Sequence, residues 1–254
     1  NEKWVTLNLD SKKRSLIKGY LESRKTGEND WIWFNKDNNF DFNKICNEFS
    51  INKNKKIVTL LTNVVWDAKL HYKSNAFESM FDWISETINF YSSKKDTELI
   101  IRVHPAEITG DVPSRQKVQD ELKNIFKILP ENVKIIPPSS SASTYTMLEK
   151  SNLVLIYNTK TGIEAAAMGK KVVVAGEAWI RNKGFSWDAE SKENYLSILN
   201  SIDMNENLDH EKKERALKYA YHIFFRRMIE ISSIKINYLK NNKFTTEINN
   251  ISDF

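Results

Sequence analysis

The sequence predicts a doubly wound α/β domain, a parallel sheet with helices on both faces. Three observations carry that prediction. From residue 56 onward, short apolar runs alternate with longer amphipathic segments, the order of strands and helices in consecutive βαβ units. The runs Leu153 to Tyr157 and Val172 to Ala175 are continuously apolar rather than alternating, as strands buried on both faces are. With seven glycines in 254 residues and no long Ser/Pro or single-charge run, the chain has little room for disorder or a flexible internal linker.

The elements follow in order. Residues 1–50 carry an early amphipathic helix and the aromatic-rich "DWIWFNKDNNFDF", and read as a connecting segment arriving from an upstream part. Residues 51–205 form the sheet domain. "KIVTLLTNVVW" is its first strand. "NAFESMFDWISETINFYSS" places Phe77, Phe81, Ile84 and Ile88 at helical spacing, and "ELIIRVHP" is a strand ended by Pro105. A helix near 114–128, a short strand at "VKIIPP", a brief helix near 143–150 and the strand "LVLIYN" come next. A helix beginning at Thr161 and the strand "KVVVAG" complete the series. Residues 206–254 are a helical C-terminal extension, with a long helix over 209–240 whose basic face includes Arg226 and Arg227. That face suits either solvent or lipid head groups.

Composition narrows the function classes. No apolar stretch approaches the roughly 20 residues that span a bilayer. Asn1-Glu2-Lys3-Trp4 reads as neither a start nor a signal peptide, so the chain is expected to be a fragment. The single Cys46 excludes an intrachain disulfide and a multi-cysteine zinc cluster, and points to a reducing, cytoplasmic compartment. A net charge of +5 suits an anionic partner, but the cations are interspersed with 33 acidic residues and no nucleic-acid module is present.

Right-handed crossovers put the loops after the strands at one carboxyl edge, where such sheets bind ligands. Those loops begin at Thr62, His104, Pro137, Asn158 and Gly176. His104 follows a buried strand, with Glu107 nearby, and an imidazole there can donate to phosphate oxygens or protonate a leaving group. The loop after the first strand offers Asn63, Trp66, Asp67 and His71; Asp67 fits a base or an N-cap equally. Ser139, Ser140, Ser141 and Ser143 precede a helix and can cap it or bind phosphate. Asn158, Thr161 and Gly162 stand at the junction of strand and helix, where free N–H groups suit an anion and a glycine admits close approach. Two readings fit Glu164 in the first turn: a ribose diol, or the helix dipole. Glu177, Arg181 and Lys183 share one loop, fit for an anionic sugar or phosphate, or for a surface ion pair.

Familiar motifs are missing. "NTKTGIEAAAMGKK" is not a phosphate-gripping P-loop, because six residues separate Gly162 from Gly169 and Lys171 stands where Ser or Thr belongs. There is no Gly-x-Gly-x-x-Gly, Gly-x-Ser-x-Gly, His-Glu-x-x-His or Asp-x-Asp, and the four histidines are scattered, so no metal site is expected.

Taken in order, "RVHPAE" and "SSSASTYTMLEKSNLVLIYNTKTGIEAAAMGKKVVVAGEAWIRNKGF" resemble the donor-binding C-terminal half of GT-B glycosyltransferases of bacterial capsule and surface-polysaccharide biosynthesis. The nearest subgroup is the capsule-polysaccharide family that includes Kdo transferases, and the resemblance covers about residues 56–190. It implies a Rossmann-like half of a GT-B fold and a metal-independent transferase without a cofactor. It implies a nucleotide-sugar donor, CMP-linked by preference with CDP, UDP or GDP as alternatives, and a glycan or lipid-linked acceptor. His104 would contact the donor phosphate, Ser139–Ser143 and Thr161 would also serve phosphate, and Glu164 would hold the ribose. The acceptor domain would lie upstream, and the enzyme would work in the cytoplasm, peripherally at the inner membrane face. Lys171 stands where that family commonly has proline, and "AWIRNKG" departs from its pattern. Two alternatives remain: a CDP-polyol phosphotransferase of teichoic-acid type, and a non-catalytic binding module.

Overall fold

The computed structural model describes residues 3–26, 38–66, 75–109, 113–227, 234–238 and 244–248. Among them, β1 (Lys56–Leu61), β2 (Thr97–Arg102), β3 (Val133–Ile136), β4 (Leu153–Ile156), β5 (Lys171–Val174) and β6 (Trp187–Asp188) form one sheet, all parallel, in the order β3-β2-β1-β4-β5-β6. This is the doubly wound order: the chain runs outward from β1 to β3, returns to the centre, and runs outward again from β4. The predicted fold class is the observed one.

Alternate residues of each strand feed opposite layers, which is why the strands read as unbroken apolar runs. Val58, Leu60, Leu99, Ile101, Leu153, Leu155 and Val173 meet α3 (Met80–Ser92), α5 (Val118–Ile125) and α8 (Lys192–Ser201), around buried Trp83, Tyr91 and Tyr195, and the single turn α4 (Ala106–Thr109) follows β2. Leu61, Val154, Ile156, Val172 and Val174 face the other way, towards α1 (Ser11–Thr26), α6 (Thr144–Lys150), α7 (Thr161–Ala167) and α9 (His210–Tyr221). A smaller cluster joins Ile57, Ile100 and Ile136 to α2 (Phe42–Glu48) through Ile45 and Cys46.

Several boundaries differ from the sequence expectation, each for a local reason. The helix expected from residue 75 begins at Met80, because Ser79 caps it by accepting from the Asp82 N–H at 3.0 Å. The helix expected over 114–128 is confined to Val118–Ile125, and the first strand ends at Leu61, leaving Thr62 to Trp66 as loop. Within the N-terminal segment, Leu7, Leu9 and Ile17 are buried in the second layer, and Arg14 makes a two-pronged ion pair with Glu214 at 2.6 and 2.8 Å. The described part of residues 1–50 thus packs against the sheet domain's own helices.

The C-terminal helix is present, but not to residue 240. Helix α9 passes into a π-helical turn over His222–Arg226, and the strands β7 (Ile234–Tyr238) and β8 (Phe244–Ile248) then pair antiparallel. "IKINY" and "FTTEI" are rich in β-branched residues, which favour the extended pairing over continued helix.

Candidate active site

Backbone pairing continues past the strand ends along the carboxyl edge. Val103 N–H donates to Ile136 O (3.0 Å), Thr62 N–H to Arg102 O (3.2 Å), Ala175 N–H to Ile156 O (2.9 Å) and Gly176 N–H to Tyr157 O (3.0 Å). At the centre, side chains take over. The His104 N–H donates to Thr62 Oγ1 at 3.0 Å, and the Asn158 N–H donates to Asn63 Oδ1 at 3.3 Å. Thr62, Asn63, His104 and Asn158 therefore stand in one row across β2, β1 and β4, where the strand order reverses and such sheets open a ligand crevice.

Two groups in that row carry chemistry. Nδ1 of His104 accepts from the Ala106 N–H at 3.1 Å, so a neutral imidazole holds its proton on Nε2, as a donor. Asn158 is 8% exposed, and its Oδ1 has no hydrogen-bond partner among the described residues. Buried acceptors are nearly always paired, so this amide marks a place where a donor group belongs.

The serine loop is built by a residue that sequence reading passed over. Arg102, the last residue of β2, is buried at 2% exposure; Nη1 donates to Pro137 O at 2.5 Å, Nη2 to Ser140 O at 3.2 Å, and Nε to Thr144 Oγ1 at 3.4 Å. Burial pushes its pKa down to about 10. An arginine inside the otherwise apolar "LIIRV" was the available signal. The serines divide the work: Ser140 Oγ accepts from the Ala142 N–H, Ser143 caps α6 through the Thr146 N–H, and Ser139 and Ser141 are exposed.

Other expected site residues meet occupied space. Thr161 N–H donates to Thr159 Oγ1 and Gly162 N–H to Thr159 O, both at 3.3 Å, so the start of α7 is closed by its own turn. A Cβ at Gly162 would lie 2.5 Å from Ile156 Cδ1 and 3.0 Å from Ile180 Cδ1; the glycine serves close helix–sheet packing, not ligand approach. Glu164 is fully buried. Its carboxylate accepts from Tyr145 OH at 2.5 Å and Tyr20 OH at 3.1 Å, and pairs with Arg24 Nε at 3.3 Å. Neither the helix dipole alone nor a ribose describes it: three side chains from α1 and α6 already surround it. Burial, with the Glu164 charge beside them, holds both tyrosines well above the usual phenol range. Asp67 and His71 lie outside the described residues.

Glu107 also turns inward. It is 2% exposed, and Oε2 accepts the Val118 N–H at 2.9 Å, supplying the cap that Lys117 does not give α5. Burial raises its pKa. The folded state therefore binds its proton more readily than the unfolded chain does, so this group's contribution falls as pH rises above the ordinary carboxyl value of about 4.3. Glu107→Gln, which keeps an acceptor for Val118, is accordingly expected to become more stable relative to the parent between about pH 4 and pH 7. Thermal midpoints of both proteins across that range check it; a variant midpoint that falls relative to the parent's as pH rises contradicts it.

After β5, Arg181 is 7% exposed and clamps its own loop, with Nη1 donating to Gly176 O at 3.2 Å and Nη2 to Ala189 O at 2.6 Å. Lys183 Nζ donates to Arg181 O at 3.2 Å and lies 5.8 Å from the Tyr219 ring centroid. Among the described residues no group of three or more His, Cys, Asp or Glu side chains gathers as metal ligands, and no helix is long and apolar enough to cross a membrane.

The family model described as "Capsule polysaccharide biosynthesis protein" matches residues 34–224. No curated protein matches the sequence at a comparable level. Among solved structures, the chain is similar to the KpsC beta Kdo 2,4 transferase of Thermosulfurimonas dismutans, with 14% identity and a TM-score of 0.48 over 83% of this chain and 56% of that one. The UDP-GlcNAc 2-epimerase from Neisseria meningitidis, bound to UDP-GlcNAc, gives 15% identity and 0.48 over 73% of this chain and 48% of that one. The wall teichoic acid polymerase TagF gives 11% and 0.40, over 73% and 40%. The chain spans about half the length of these proteins.

Proposed function

The chain belongs to the capsule polysaccharide biosynthesis protein family, and on that premise we propose that it is the donor-binding part of a nucleotide-sugar-dependent glycosyltransferase making capsule or surface polysaccharide. The observation that carries this reading is the row of Thr62, Asn63, His104 and Asn158 at the reversal of strand order. The His104 Nε2–H donates to a phosphate of the donor and stabilises the negative charge that grows on the leaving nucleotide. The Asn158 amide oxygen accepts from the donor, and the exposed Ser139 and Ser141 hydroxyls serve phosphate oxygens. Arg102 and Thr62 position those groups without touching the donor. Glu164 is a positioning residue too, tying the first turn of α7 to Tyr145 in the first turn of α6, beside the serine loop.

A CMP-sugar is the favoured donor, with CDP-, UDP- and GDP-sugars as alternatives; the acceptor is a glycan or a lipid-linked saccharide, met in the cytoplasm or at the inner membrane face. Calorimetric titration with CMP, CDP, UDP and GDP tests the reading. At least one nucleotide should bind, and His104→Ala should weaken it by roughly tenfold to a hundredfold, the worth of one hydrogen bond to a charged group. Absence of binding to all four would sink the proposal.

A further inference from the structure

A second cleft, of about 440 Å³, opens beside the loop that follows β5. Its size falls in the range of small-molecule sites, roughly 300–1,000 Å³. Glu177, Trp179, Arg181 and Lys183 line it from the loop, and Tyr219 and Arg227 from α9 and the residue after the π-turn. Three cations thus face one carboxylate.

The loop is held rigidly in place. Tyr219 OH donates to Trp179 O at 2.7 Å, Arg215 Nε–H donates to Lys183 O, and Asn182 adopts a left-handed conformation (φ 59°), with its N–H on Asp188 Oδ2 at 2.7 Å. Although its backbone is pinned, the Trp179 side chain is left outside: the residue is 48% exposed between buried Ala178 and Ile180. Core packing does not explain a large aromatic in that position. Arg181 supplies an independent observation. It is more than nine-tenths buried, lines the cleft, and has no carboxylate partner among the described residues, only the two carbonyls of its own loop. A buried guanidinium without a counter-charge favours an anion in the space it borders.

We infer that this cleft is a binding site for an anionic sugar, separate from the nucleotide site at the β1–β4 crevice. The anionic group, a carboxylate or a phosphate ester, sits among Arg181, Lys183 and Arg227. The apolar C–H face of the ring lies on the Trp179 indole, and Glu177 accepts from ring hydroxyls. The anion preference rests on the cleft alone; the saccharide rests on the glycosyltransferase reading above.

The test follows the indole N–H resonance of Trp179, identified by its loss in Trp179→Phe, while the whole chain is titrated with glucuronate, glucose 6-phosphate, glucose or CMP. Glucuronate or glucose 6-phosphate should shift it, and which of the two does so distinguishes carboxylate from phosphate. Glucose should leave it in place, added salt should weaken the effect, and Lys183→Gln with Arg227→Gln should weaken it at least tenfold with the thermal midpoint unchanged. Those two side chains are half-buried and exposed, so the variant is read even where Arg181→Met does not fold. No shift with either anion, an equal shift with glucose, unchanged affinity in the double variant, or displacement of the sugar by CMP would each overturn the inference. Anion binding without any nucleotide binding would keep the cleft's anion preference and remove the transferase reading instead.

Discussion

Glu164→Ala is expected to destabilise the folded chain by about 3–5 kcal/mol, the usual cost of removing one partner from a buried ion pair. The substitution leaves the Arg24 guanidinium and the Tyr20 and Tyr145 hydroxyls facing the void of the lost Cγ and carboxylate, in a site with no exposed surface on Glu164 itself. Urea denaturation should show a lower midpoint at an unchanged slope. Glu164→Gln should fall between, because it keeps an acceptor for one tyrosine and loses the charge that Arg24 needs. The contrary outcome is specific: a loss under about 1 kcal/mol together with a clear loss of nucleotide affinity would mean that the carboxylate faces ligand.

The second large effect is expected at Arg102. Arg102→Met removes donors from the carbonyls of Pro137 and Ser140, and a buried acceptor left unpaired costs about 1–3 kcal/mol. Some of that is offset because a charge with no carboxylate partner no longer needs burying, so a net loss of about 2–4 kcal/mol is expected. Arg102→Lys should not restore the parent, since a single ammonium lacks the fork that spans two carbonyls. The functional readout is nucleotide affinity: a slackened serine loop lowers it in both variants, whereas affinity equal to the parent's would confine Arg102 to stability.

The fold was legible because its strands are buried on both faces. Leu153 to Ile156 and Val172 to Val174 have no polar side to disguise them, and Ser143 announces the helix it caps. What local sequence concealed was set by distant partners. The partners of Glu164 come from Tyr20 and Arg24, far upstream, so a first-turn glutamate looked available when it was already enclosed. Glu107 looked like a companion to His104, yet its carboxylate serves an N–H eleven residues on. The two-residue β6 has no periodicity to read, and it exists because Trp187 and Asp188 pair with Val173 and Val174. In the opposite sense, Arg181 and Lys183 do share one loop, and Arg181 gives one bond from each terminal nitrogen to that loop's carbonyls while also lining the cleft beside it.

The central pairing of β1 with β4 sets an order of events. Val58 meets Leu153, the widest sequence separation among the sheet's pairings, while β2, β3 and β5 each pair over shorter spans. Closing the longest loop costs most chain entropy, so the two halves of the sheet are expected to form first and to join late, with the buried Thr59–Ser151 hydroxyl pair (2.6 Å) sealing the seam. Asn63 and Asn158 belong to opposite halves. A nucleotide held by both would act as a clamp on the last step of folding, adding about 2.7 kcal/mol when present at a hundred times its Kd.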